Sequence, residues 1–158
     1  TNLAVAPYYG CQLLRPYKEL AFDDPENPVI FEDFLNALGC KTIDYPFKTE
    51  CCGAFLAVSR EEAVEDCVSK ILQHARMNGA EVITTSCPLC NFNLEWSQKG
   101  IAAKNSEFRR MPVLYVSELM ALSLGIKISD EIWNEHVVDP RPFLEEKGLI
   151  QVLKNTSL

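Results

Sequence analysis

The sequence predicts a three-layer α/β fold: a parallel, Rossmann-like sheet with helices on both faces and cysteine loops at its carboxyl rim. Three observations carry that expectation. Short apolar runs alternate with stretches of helical periodicity, the order that βαβ units produce. Glycine and proline punctuate the ends of those stretches. Cysteines follow the first three apolar runs, where open α/β sheets place their ligands.

The first run, Leu3-Ala4-Val5-Ala6-Pro7-Tyr8-Tyr9, reads as a buried strand that closes on Gly10-Cys11. Asp23 to Pro28 is a polar, proline-punctuated loop. Val29, Ile30, Phe31, Phe34, Leu35 and Leu38 then recur at helical spacing until Gly39 stops them. Thr42-Ile43-Asp44-Tyr45 is a brief second strand, and the loop after it carries Cys51-Cys52-Gly53. Ser59-Arg60-Glu61-Glu62 has the form of a capping box. The helix it opens lines Ala63, Cys67, Ile71, Leu72 and Ala75 on one face and ends at Asn78-Gly79.

Glu81-Val82-Ile83-Thr84-Thr85 is the third strand and runs into Cys87-Pro88-Leu89-Cys90. Pro88 suits the first turn of a helix continuing through Asn93, Leu94 and Trp96. Gly100 to Arg110 reads as a polar connection. Val113-Leu114-Tyr115-Val116 is the fourth strand, followed by a helix from Ser117 to Gly125. A turn capped at Ser129 and a short helix after Pro142 complete the pattern. Residues 1–126 are therefore expected to form the cysteine-rich α/β body, and residues 127–158 a helical extension packed on it.

The bulk composition excludes several classes of function. The 158 residues suffice for one domain with a real core. A net charge of −7 argues against a nucleic-acid surface, which needs a basic face. No apolar run reaches the ~20 residues that span a bilayer; the longest, Leu114–Ile126, is broken by Ser117, Glu118 and Ser123. No basic-then-apolar leader opens the chain. It begins at Thr1, which suggests a processed protein or a piece of a longer one. Seven cysteines are an odd number and too few for a disulfide scaffold, so the reducing cytoplasm is the expected compartment.

Five of those cysteines form one ordered set, C-x39-C-C-x34-C-x2-C: Cys11, Cys51, Cys52, Cys87 and Cys90. Thiolates are soft ligands suited to iron–sulfur clusters and zinc. Five exceed what one tetrahedral zinc ion uses. Adjacent side chains diverge, so Cys51 and Cys52 suit different metal atoms. The thiols favour a polynuclear iron–sulfur centre, with zinc or a metal-free dithiol site left open; purified material could hold zinc or be apo. Cys87 and Cys90 open a helix, whose unpaired amides favour the thiolate form.

The other candidates have plainer readings. Cys67, on an apolar helix face, and Cys40, after a helix-ending glycine, are expected in the core. His74 and His136 are solitary and read as structural or solvent-facing. Arg15, Lys18 and Lys48 flank the cysteine loops and read as solvated charges, with an anionic cluster or substrate as the alternative partner. Tyr8, Tyr9 and Trp96 read as packing.

The set with Cys51-Cys52-Gly53 and Cys87-Pro88-Leu89-Cys90 resembles the cysteine-rich CCG domain of the heterodisulfide reductase B subunit, in its C-terminal half. Tyr9 through Pro16, Cys87 through Leu94, Pro112 through Tyr115 and His136 through Leu149 share the likeness. The cysteine-rich subunit of one class of succinate or fumarate dehydrogenases carries the same domain. The resemblance implies that Cys11, Cys51, Cys52, Cys87 and Cys90 ligate a noncubane [4Fe-4S] cluster and form its catalytic centre. It implies electron transport and the reduction of a small-molecule disulfide. An electron relay to a quinone-linked acceptor, within a succinate:quinone or fumarate reductase, is the alternative. A zinc-stabilised interaction module is the third.

Implied partners are iron–sulfur and flavoprotein subunits of a redox complex, which could hold this chain at a membrane without a span of its own. The family carries two such motifs in tandem and this chain has one, so activity of the domain alone is not expected. Gln12 departs from the family, which often has His after the first cysteine.

Overall fold

The computed structural model describes residues 2–150. Thr1 and residues 151–158, the last part of the expected extension, lie outside them. Four strands form one all-parallel sheet in the order β2-β1-β3-β4: β1 is Ala4–Tyr8, β2 Lys41–Thr42, β3 Val82–Thr85 and β4 Val113–Tyr115. The register sets Val5 opposite Thr42 on one side and Val82 on the other, and Ile83 opposite Val113. The helices are α1 (Tyr17–Leu20), α2 (Ile30–Ala37), α3 (Glu61–Met77), α4 (Pro88–Lys104), α5 (Val116–Ser123), α6 (Asp130–Asn134) and α7 (Arg141–Glu146).

Alternation along the strands sorts the core into two layers. Ala6, Tyr8, Ile83 and Val113 face one side, where α3 supplies Val64, Val68, Ile71, Leu72 and Ala75 and α4 supplies Leu94 and Ile101. Val5, Val82 and Leu114 face the other, against Phe31 and Leu35 of α2 and Leu119 and Leu122 of α5. Trp133 of α6 and Leu144 of α7 join that second layer. Each large apolar side chain buried here contributes about 1.5–3 kcal/mol. The sheet is therefore covered on both faces, as a parallel sheet requires.

The chain runs from β1 outward to β2, then crosses back to β3 on the far side of β1. The helices that follow β1 and β3 consequently leave on opposite faces. The carboxyl ends of these two strands therefore mark the topological switch point, where such sheets bind ligands.

Local details depart from the sequence reading in three places. The capping box at Ser59 does not form: α3 starts at Glu61, Arg60 precedes it, and no side chain caps it. A 3-10 turn over Ala54–Leu56 takes over this corner, with Ser59 N and Arg60 N both donating to Leu56 O, at 3.0 and 2.8 Å. The second strand is only two residues long. The polar stretch from Gly100 to Lys104 continues α4.

Close packing explains the longer helix. A Cβ at Gly100 would lie 1.9 Å from Glu65 Oε1 on α3, and Lys104 Nζ holds Glu65 Oε2 at 2.7 Å. Glycine here lets a buried glutamate sit against the helix, and that contact outweighs glycine's helix penalty of about 1 kcal/mol.

Candidate metal centre

All four strands run in one direction, so their carboxyl ends share one edge. Cys11 follows β1 directly, Cys51 and Cys52 lie in the loop after β2, and Cys87 follows β3. The five thiols meet there as two close pairs with Cys87 beside them. Cys11 Sγ and Cys51 Sγ are 3.7 Å apart, and Cys52 Sγ and Cys90 Sγ are 3.6 Å apart. Cys87 stands before α4, its sulfur accepting the Cys90 amide at 3.4 Å. All five are free thiols; Cys52 and Cys90 are buried, the other three half-buried.

Neighbouring groups hold each loop. Thr85 Oγ1 accepts from Cys87 N at 3.2 Å, and Asn93 Nδ2 donates to Cys52 O at 2.8 Å across to α4. Gly53 N donates to Cys51 Sγ at 3.3 Å. The Tyr8 hydroxyl donates to Glu50 O at 2.6 Å, fixing the approach to Cys51. Gly10 has a left-handed φ of 66°, and a Cβ there would lie 3.1 Å from Cys90 Sγ. Only glycine lets the Cys11 loop pass this close to the opposite thiol.

The thiols differ electrostatically. Cys52 is drawn down to about 6 by its hydrogen bond with Cys90, against burial, with the Ala54 amide, Asn93 and Tyr8 helping. Cys90 is pushed far up by that same bond, then by burial, because it keeps the proton its partner releases. Burial raises Cys11, and Cys51 beside it adds to the shift. Burial and the nearby thiolates also raise the Tyr8 phenol, which stays neutral.

The donor set fits an iron–sulfur group. Five free thiols from three loops converge on one edge of the sheet, backed by buried Tyr8 and the close pass at Gly10. Among the described residues, no three His, Cys, Asp or Glu side chains are grouped to hold a single metal ion. The thiols come in pairs instead.

The matching family model is the cysteine-rich domain CCG, over residues 5–95. That span contains all five thiols. The chain belongs to the cysteine-rich CCG domain family. It is 34% identical over 139 residues to the 8-methylmenaquinol:fumarate reductase membrane anchor subunit of Wolinella succinogenes, covering 88% of this chain and 49% of that protein. It is also 34% identical over 133 residues to the ferredoxin:CoB-CoM heterodisulfide reductase B subunit of Methanosarcina mazei, covering 78% of this chain and 42% of that one. The CCG chain thus spans about half the length of the curated relatives it matches, or somewhat less.

The remaining candidates fall out differently. Cys40 is buried in the second core layer, as expected. Cys67 is only half-buried, and its Cβ lies 3.8 Å from where a Cβ on Gly53 would be, under the vicinal-cysteine turn. Arg15 pairs with Glu26 at the surface, at 3.3 Å, and Lys18 is exposed. Lys48 is buried and bound to Glu32 at 2.7 Å and Asp44 at 3.1 Å, so it is neither solvated nor turned to the thiols. Tyr8 and Tyr9 are core residues, whereas Trp96 is half-exposed and stacks on Phe92, ring centroids 5.7 Å apart. His74 packs its ring on Phe47 at 4.5 Å.

His136 is structural, as one of its two expected roles had it, but it is not solitary. Its Nδ1 meets Glu95 Oε1 at 3.0 Å and its Nε2 meets Glu118 Oε1 at 2.9 Å, all three side chains largely buried. Burial opposes its charge, but Glu118 and Glu95 override this and hold it up at about 9. Nothing local in the sequence signals this, because the partners lie 18 and 41 residues away. Along this flank runs an open groove of about 600 Å³, lined by Pro88, Phe92, Trp96, Lys99, Tyr115 and His136 among others.

Proposed function

We propose that Cys11, Cys51, Cys52, Cys87 and Cys90 hold an iron–sulfur cluster, of the noncubane [4Fe-4S] type, and that the chain is a redox module of a larger oxidoreductase. The convergence of five free thiols, two close pairs and Cys87 beside them, at the β1/β3 switch point carries this reading. When bound, such a group takes up and releases electrons one at a time. The protein's own part is positional. The sheet edge fixes where the three loops emerge, Gly10 lets two of them touch, and Asn93 locks the vicinal pair to α4. Tyr8 lies buried beside the thiols as a neutral phenol. The low value of Cys52 supplies one ready thiolate without needing a base.

The reaction class we favour is reduction of a small-molecule disulfide, in keeping with the Methanosarcina mazei relative, named for a CoB-CoM heterodisulfide. An electron relay in a fumarate reductase is the second reading, favoured by the Wolinella succinogenes relative, matched over more of this chain. Either use needs partner subunits. Leu89, Phe92 and Trp96, each more than half exposed, form an apolar stripe on α4 beside the thiols, where a partner could be received. Among the described residues no helix is long and apolar enough to cross a membrane. We place the chain in the cytoplasm, with residues 127–158 as an extension on the α/β body.

The deciding experiment is purification without oxygen, followed by iron, sulfide and zinc analysis and electron paramagnetic resonance. The expected result is iron with labile sulfide and a cluster signal that Cys51→Ser and Cys52→Ser each abolish. Stoichiometric zinc without iron, or a signal surviving both substitutions, overturns the proposal.

A further inference from the structure

We infer that His136 is a positioning residue for the Cys87/Cys90 half of the thiol rim, acting through Glu95, Glu118 and Tyr115. The inference rests on the reading of the thiols as the working site, and it concerns residues that touch no thiol.

The contacts form two continuous routes from one imidazole to one loop. On the first, His136 Nδ1 binds Glu95 Oε1 at 3.0 Å. Glu95 lies on α4, the helix whose first turn carries Cys90 and is preceded by Cys87. Its other oxygen accepts Val137 N at 2.5 Å, so the carboxylate is fully engaged. On the second, His136 Nε2 binds Glu118 Oε1 at 2.9 Å, and Glu118 Oε2 accepts Tyr115 N at 2.6 Å. The Tyr115 hydroxyl then donates to Ser86 O at 2.7 Å, one residue before Cys87. The imidazole thus fixes α4 from one side and the β3–α4 turn from the other.

Charge makes this arrangement demanding. Both ring nitrogens face carboxylate oxygens, so both must donate, and the ring is held as a buried cation between two anions. Removing the cation leaves two glutamates facing each other across the gap with no proton donor between them, a strongly unfavourable arrangement. Lys99 on α4, Glu135 beside the histidine and Asp139, itself clamped by Arg141 at 2.8 Å, are the other charges on this flank. Glu95 and Glu118 would then part, and α4 and the Ser86 turn would lose a common reference. Among the described residues, no hydrogen bond joins the loops of Cys11 and Cys51 to this cluster.

The test uses the whole chain, reduced and metal-free, exposed to iodoacetamide and read cysteine by cysteine by peptide mass spectrometry. In His136→Ala, labelling of Cys87 and Cys90 should rise about fivefold or more, while Cys11 and Cys40 keep their wild-type rates. Added imidazole should restore protection by refilling the vacated space. Tyr115→Phe, which removes only the hydroxyl link to Ser86, should raise Cys87 labelling selectively and leave the ion cluster intact. If His136→Ala does not fold, His136→Gln, which fills the same place without the charge, is labelled in its stead and should show the same selective rise. A rise at all cysteines alike in the folded variants, no rise at all, or no imidazole rescue overturns the inference. Because no cluster is needed, a chain that binds no iron would defeat the proposed function without touching this result. A cluster-bearing chain with unchanged labelling would do the reverse.

Discussion

The two halves of the thiol rim rest on ion clusters of one plan, a single cation serving two carboxylates, built on different cations. Under Cys11 and Cys51, one lysine serves two carboxylates: Lys48 holds Glu32 at 2.7 Å, Asp44 at 3.1 Å and Pro28 O at 3.3 Å. The Tyr9 hydroxyl closes on Glu32 as well, and Tyr9 N donates to Lys48 O at 2.9 Å. Under Cys87 and Cys90, a histidine serves two carboxylates. Burial alone would lower Lys48, but Glu32 and Asp44 raise it above its ordinary value, so it stays charged across the neutral range. His136 gives up its proton near pH 9. One half of the rim thus stands on a fixed charge and the other on a titratable one.

The largest expected effect tests the fixed side. Lys48→Met leaves the Glu32 carboxylate buried with Tyr9 as its remaining donor, and should cost on the order of 3–5 kcal/mol in urea unfolding. A loss under about 1 kcal/mol would show that Glu32 is solvated and that the first half does not depend on Lys48.

Next comes the titratable side. The folded value of about 9 lies above the ordinary 6.5, so folding binds the His136 proton more tightly. Its contribution, on the order of 3 kcal/mol, is complete below about pH 6.5 and lost as pH rises through 9. Unfolding free energy measured from pH 6.5 to 9.5 should fall in the wild type. The fall should shrink markedly in His136→Gln, which has no proton to lose. Parallel slopes for the two proteins would remove His136 as the source. Glu95, Glu118, Lys99, Tyr115, Glu135 and Asp139 face or flank the ring, and the Gln variant keeps all of them.

The same contrast explains what is legible in the sequence. The sheet and the thiol rim can be read because each depends on neighbours in sequence: an apolar run makes a strand, and a cysteine just after it inherits the strand's end. Pro88 at the start of α4 is equally local. Lys48 and His136 read as solvated or solitary because their partners are distant along the chain, Glu32 sixteen residues off and Glu95 forty-one. Gly100 misleads for the same reason, since a glycine signals a break until Glu65 on another helix explains it. Ser59 fails oppositely: its pattern suits a cap, but the 3-10 turn before it captures the backbone first.

The smallest expected effect probes the close pass between the Cys11 loop and Cys90. Gly10 lies just before Cys11, yet a Cβ on it would sit 3.1 Å from Cys90 Sγ and 3.5 Å from the Tyr8 ring. Gly10→Ala carries two costs, the left-handed backbone at φ 66° and this contact. Gly125, at φ 68° with nothing within 4 Å of its Cβ position, carries the first cost alone. Gly125→Ala should therefore lose roughly 1–2 kcal/mol, and Gly10→Ala the same plus a few tenths as the sulfur shifts aside. The difference between the two unfolding curves measures how firmly Cys90 is held. If Gly10→Ala costs no more than Gly125→Ala, the Cys90 sulfur yields freely, and the Cys11 loop does not depend on its position. If it costs several kcal/mol more, Cys90 is held rigidly by α4, and the His136 cluster behind that helix becomes the stiffer of the two supports.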